Sequence, residues 1–123
     1  MKGRKIELKE CFVESIDVTD EEGKTVHPKF EYRNVLLESL NSPKLNMQGM
    51  NEGLDFKDIE KRLKLKEELD KSKDTLIIPE DEYSMLVGLV EKMKWKVLDN
   101  IVVQFTKDVQ NAEKVELEEK KQG

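Results

Sequence analysis

Polar and apolar positions follow two different periods along this chain, a period of two near the start and a helical period over most of the rest. From Lys5 to Val18, the residues Ile6, Leu8, Glu10 and Phe12 alternate with charged neighbours, while Cys11, Val13 and Ile16 add β-compatible bulk. That pattern predicts a strand with a bulge near Cys11. Asp20-Glu21-Glu22-Gly23 supplies a turn with glycine where a positive φ is expected, and Lys24-Thr25-Val26 returns, so the spacing predicts a β-hairpin. His27-Pro28 is expected to end it, because proline lacks a donor and pushes its predecessor into extended conformations. A two-stranded hairpin is marginal alone, and Leu76–Ile78 is the candidate third strand.

The helical period begins at Phe30. Phe30, Val35, Leu36 and Leu40 line one side of a short helix from about Glu31 to Leu40, closed by Asn41-Ser42-Pro43. Residues 44–54 contain two glycines and no periodicity, and are expected to form a mobile loop. A longer helix is predicted from Asp55 to about Ser72, with Asp58 completing an imperfect capping box. It carries two apolar stripes: Phe56, Ile59 and Leu63 on one side, Leu65 and Leu69 well over 100° away. Either this helix touches two different partners or it bends near Lys64.

Leu76-Ile77-Ile78-Pro79-Glu80-Asp81-Glu82 is the order of an extended segment entering a helix, with proline in the first turn and carboxylates at the positive end of the helix dipole. Tyr83, Leu86, Val87, Leu89, Val90 and Met93 then share one side. After a break at Lys94–Lys96, a second stripe runs through Trp95, Val97, Leu98, Ile101, Val102, Phe105, Val109 and Ala112, with Val103 alone misplaced. Two such helices predict an αα-hairpin whose facing stripes form much of the core. The charged residues 113–123 are expected to be a frayed helical end or flexible tail. The fold class expected is α+β: one domain over residues 1–112, with a small antiparallel N-terminal sheet packed on a helical C-terminal half.

Composition limits this picture to one modest core, since the chain has 123 residues and 40% of them are charged. The net charge of −5 argues against a dedicated nucleic-acid or anionic-membrane binder. A single cysteine, Cys11, cannot form an intramolecular disulfide, and no apolar run approaches the roughly 20 residues that span a bilayer. A cytoplasmic setting is therefore expected.

Candidate chemistry is sparse. One histidine and one cysteine cannot build a Cys/His zinc site, and Cys11 and His27 are read as a strand residue and a surface residue without a catalytic role. The pairs Glu21/Glu22, Glu67/Glu68 and Glu118/Glu119 lie in polar surroundings that give no reason for shifted pKa values. Gly49 and Gly53 are not followed by the lysine and hydroxyl residue of a phosphate-binding loop. Neither an enzyme nor a bound cofactor or metal is expected. Two features suit binding. Leu45, Met47, Met50 and Leu54 offer pliable side chains to a protein partner, as do Leu65 and Leu69, for which the sequence assigns no neighbour. Lys57, Lys61, Lys64 and Lys71 share a helix face that suits phosphate contacts, although Glu68 falls inside it and no aromatic residue interleaves.

The turn Asp20-Glu21-Glu22-Gly23-Lys24, the helix Tyr32–Leu40, the Leu76–Glu82 segment and the apolar final helix, in that order, resemble small phage- and prophage-encoded proteins of uncharacterised function. The likeness spans roughly residues 5–112 and departs from the pattern at residues 44–54. It implies a phage context, a cytoplasmic or virion-associated protein, and work done by binding. It assigns no catalytic residue. The leading expectation is a non-catalytic interaction protein acting in particle assembly or on a host protein, with homo-oligomerisation open. The alternative is a nucleic-acid-associated regulator using the basic residues of segment 57–73.

Overall fold

The computed structural model describes residues 2–42, 48, 50 and 53–117. It is an α+β fold with two small antiparallel sheets and a two-stranded hairpin tip, followed mainly by helices. Strand β1 (Lys2–Glu7) is the centre of a three-stranded sheet, between β6 (Thr75–Pro79) and β7 (Glu113–Glu116), antiparallel to both. In antiparallel pairing, opposed residues share a face. Ile6 with Leu76, and Arg4 with Ile78, therefore point into the protein, while Lys5 and Ile77 point out. The expected third strand exists, but its partner is β1 and not the hairpin.

The predicted first strand is divided because it changes partner at Leu8–Lys9. The Leu8 amide donates to the Asp74 carbonyl, and the Lys9 carbonyl accepts from the Tyr32 amide. Strand β2 (Glu10–Phe12) then pairs with β5 (Lys29–Glu31). Between them, β3 (Val18–Thr19) and β4 (Thr25–Val26) form the hairpin tip. Its turn is the expected one: Asp20 accepts from the amides of Glu22 and Lys24, and Gly23 adopts φ +81°. His27-Pro28 does not end the ribbon. The Pro28 carbonyl accepts from the Val13 amide at 2.9 Å, and pairing resumes at Lys29.

Helix α1 (Tyr32–Leu40) and helix α2 (Phe56–Lys71) lie where the periodicity put them. Asp55 caps α2 by accepting from the Asp58 amide at 3.0 Å. The expected loop at residues 44–54 falls largely outside the described residues, including Leu45 and Met47. Helix α3 (Glu80–Glu91) begins directly after Pro79, with Glu80, Asp81 and Glu82 in its first turn. Helix α4 (Asn100–Gln110) is shorter than the pattern implied. Asp99 starts it by accepting from the Ile101 amide, so Trp95, Val97 and Leu98 belong to the connection. Trp95 still reaches the core by stacking on Phe30 at 6.1 Å, whereas Leu98 is 98% exposed.

Residues 113–116 are a strand and not the start of a tail. Lys5 faces Glu113 and Lys2 faces Glu116, so charges that resembled a solvated end are cross-strand pairs on an edge strand. Arg4 holds this sheet to the helices. It donates to Glu80 at 2.7 Å and to the Ala112 carbonyl at 2.9 Å, and its guanidinium lies 4.7 Å from the centre of the Tyr83 ring. Gly3 is required beside it, because a Cβ there would sit 2.5 Å from the Ile78 carbonyl oxygen.

Candidate functional site

Helix α2 is continuous from Phe56 to Lys71, and its two apolar stripes face opposite directions. At about 100° per residue, Leu65 lies about 180° from Phe56. Leu65 and Leu69 are each 1% exposed and belong to the core. This corrects their reading as partner-contacting residues. Phe56, Ile59 and Leu63 are the outward stripe, at 75%, 42% and 58% exposure.

Two arginines, which hydrophobic patterning ignores, account for this orientation. Arg62 of α2 is buried and donates to the carbonyls of Leu40 and Ser42 at the end of α1. Arg33 of α1 donates to the carbonyls of Leu69, Ser72 and Lys73 at the end of α2. Each guanidinium satisfies terminal helix carbonyls, which otherwise lack partners, and together they fix which side of α2 faces inward. Three large apolar residues stay outside because the side bearing Arg62, Leu65 and Leu69 is the one that docks.

Charges of both signs border the outward stripe: Glu60, Lys64, Lys66, Glu67 and Asp70 surround Leu63. Lys57, Lys61, Lys64 and Lys71 are all exposed, as expected of a solvated or ligand-facing side. Lys64 reaches back to helix α3, where its ammonium lies 3.8 Å from Glu82. Glu82 is the unusual member of this region: its side chain is 3% exposed, and among the described residues neither carboxylate oxygen has a hydrogen-bond donor. Burial raises its pKa above the ordinary carboxylate range; Lys64 opposes this, and Asp81 and Glu68 reinforce it. Of the loop residues proposed for a partner, Met50 is exposed and Leu54 half-buried.

Two other places hold polar side chains together. The hydroxyl of the fully buried Tyr32 donates to Asp108 at 2.6 Å, and Lys9 reaches the same carboxylate oxygen at 3.3 Å. Burial and then the Asp108 carboxylate push the Tyr32 pKa up, so this hydroxyl is a donor and not a base. Lys9 and Asp108 edge a polar cleft of about 160 Å³ with Lys5, Glu7 and Asn111. The second place is the β3–β4 arm, residues 14–27, in which every described residue but Ile16 is exposed. Its base is tied to α4, since Asp99 accepts from the Ser15 amide at 2.8 Å. Val18 and Val26 are opposed in register and both exposed, so they form one apolar spot on the arm.

Cys11 is a half-buried strand residue opposite Phe30, while His27 contacts the Ile16 carbonyl and Asp17. Among the described residues, no group of three His, Cys, Asp or Glu side chains is placed to hold a metal ion, and no helix is long and apolar enough to cross a membrane. Comparison with protein-family profiles, with curated proteins and with solved structures finds no match to this chain.

Proposed function

We propose that this chain is a non-catalytic protein-interaction protein, and that its contact surface is the outward face of helix α2. The observation that supports this reading is the exposed stripe of Phe56, Ile59 and Leu63, lying opposite the side of α2 that the domain's own core consumes. Scattered apolar residues on a surface need no explanation, but three at helical spacing on one face form a patch. Fully covering a large apolar side chain is worth about 1.5–3 kcal/mol, so covering what these three still expose recovers on the order of 3 kcal/mol. That corresponds to roughly a hundredfold in affinity and does not make a stable complex alone, so the charged side chains around the stripe must contribute to any partner's binding. The setting we propose, a phage or prophage protein acting in the host cytoplasm or on the particle, rests on the sequence resemblance alone.

The test compares three tagged baits in native lysate: the unaltered chain, Phe56→Asp/Leu63→Asp, and Leu98→Asp. Leu98 is the control, being a fully solvated leucine away from α2. A partner retained by the first and third baits and lost by the second is the expected result. Equal retention by all three, or turnover of a substrate by the purified chain, would overturn the reading.

A further inference from the structure

We propose that the open edge of strand β6 pairs with β6 of a second copy of this chain about a twofold axis, making one antiparallel sheet from two molecules. This edge is a different surface from the outward face of α2, and the two stand or fall separately. Hydrogen bonds in an antiparallel ladder alternate sides, and the Leu8 amide donating to the Asp74 carbonyl sets the phase. Asp74, Leu76 and Ile78 turn their backbone groups toward β1, so Thr75 and Ile77 turn theirs away from it. Among the described residues, the amides and carbonyls of Thr75 and Ile77 have no hydrogen-bond partner. Such groups face water or a partner chain, because buried unpaired ones are rare.

The two edges of this sheet are built differently. Strand β7 carries Glu113, Lys114 and Glu116, and charged side chains on an edge strand deter pairing with another chain. Strand β6 is Thr-Leu-Ile-Ile-Pro, without a charge, and Ile77 on its outer face is 46% exposed. A second copy fits this edge because the edge is complementary to itself. Run antiparallel, Thr75 of each chain lies opposite Ile77 of the other, each such pair exchanges two hydrogen bonds, and every outward group of the two residues is satisfied. Setting Ile77 against Ile77 instead would place Thr75 opposite Pro79, which has no N–H and whose carbonyl starts α3. The favoured register also gathers four β-branched side chains on the outer face and opposes no like charges there. The charged β7 strands become the outer edges of the joined sheet, and the isologous contact closes at two copies. The contact is short, which places the association in the weak class, with a Kd on the order of 100 µM.

Sedimentation equilibrium and residue-resolved amide exchange test this together. The unaltered chain should follow a monomer–dimer equilibrium, and Ile77→Lys, which changes an outward side chain and leaves the core intact, should dimerise at least about tenfold more weakly. In the unaltered chain, the Thr75 and Ile77 amides should exchange about threefold more slowly at about 1 mM than at about 50 µM, while the Leu76 and Ile78 amides hold their rates. The exchange measurement needs no substitution, so it decides the matter even where the variant fails to fold. A chain that stays monomeric to millimolar concentration overturns the proposal, as does a dimer unaffected by Ile77→Lys or one in which the Thr75 and Ile77 amides exchange unchanged. Protection of those two amides that appears only on adding a different protein also overturns it, and makes a strand of that protein the occupant. None of these results bears on the capture of a partner by Phe56, Ile59 and Leu63.

Discussion

Replacing Glu82 with glutamine should stabilise this protein at neutral pH, which is unusual for a change inside a fold. The carboxylate is 3% exposed and, among the described residues, has no hydrogen-bond donor on either oxygen and one ion-pair partner, Lys64, at 3.8 Å on a side chain that is 66% exposed. An unsatisfied buried polar group costs about 1–3 kcal/mol, more when charged, while an ion pair reaching into solvent returns at most about 1 kcal/mol. The net cost of keeping Glu82 ionised is therefore roughly 1–2 kcal/mol. Its pKa is raised in the folded state by burial, so the folded protein holds the proton more tightly than the unfolded chain. The favourable contribution is complete below the ordinary carboxylate range and is lost as pH rises through the folded-state value. Glu82→Gln removes the ionisation while keeping the shape. Urea denaturation at several pH values should show the variant more stable by about 1–2 kcal/mol at about pH 8, with the difference closing toward about pH 4. Parallel stability profiles for the two proteins would refute the claim that this carboxylate is buried without compensation.

Three further outcomes follow from the same structure. Leu69→Ala should cost about 2–5 kcal/mol of unfolding free energy and Leu63→Ala no more than about 0.5, and reversal of that order in denaturant melts would invert the assignment of the two stripes. Gly3→Ala should destabilise by about 1–3 kcal/mol, because its Cβ would meet the Ile78 carbonyl at 2.5 Å and Leu117 at 2.9 Å; an unchanged melting temperature would contradict that close approach. Asp99 is held below the usual carboxylate range by the amides of Ile101 and then Ser15, so it stabilises the fold above that range and the benefit is lost as pH falls through the lowered value. Protection factors of the Ile101 and Ser15 amides, taken relative to intrinsic exchange at each pH, should fall together in acid, and unchanged protection would show that this carboxylate does not tie the arm to α4.

The helices were largely legible because each carries a local signal: the Asp55 cap, the Pro79 start followed by three acids, and a 3.6-residue apolar period. Strand pairing was less so. Nothing local to Lys2–Glu7 reveals that its neighbours are residues 75–79 and 113–116, since sheet partners are chosen by distant segments. The segment Glu113–Glu116 read as a tail because an edge strand solvated on one side needs little apolar content. Trp95, Val97 and Leu98 imitated the period of the helix behind them, and the Asp99 cap that excludes them is visible only in retrospect. At the candidate surface, the sequence showed that α2 has two sides but misjudged which one is buried. Counting apolar side chains favoured neither, and the decision was made by Arg33 and Arg62, two charged residues acting on the ends of helices at least twenty positions away.

On the proposed function, the outward face of α2 is covered when the protein works. Hydroxyl-radical labelling of side chains, performed once on the dilute purified chain and once inside cells expressing it, measures this directly. Phe56, Ile59 and Leu63 should label strongly in the purified chain and fall several-fold in cells, relative to the solvated Leu98, which should label equally in both. Equal labelling of Phe56, Ile59 and Leu63 in the two settings would mean that the face stays bare, and would contradict the proposed function.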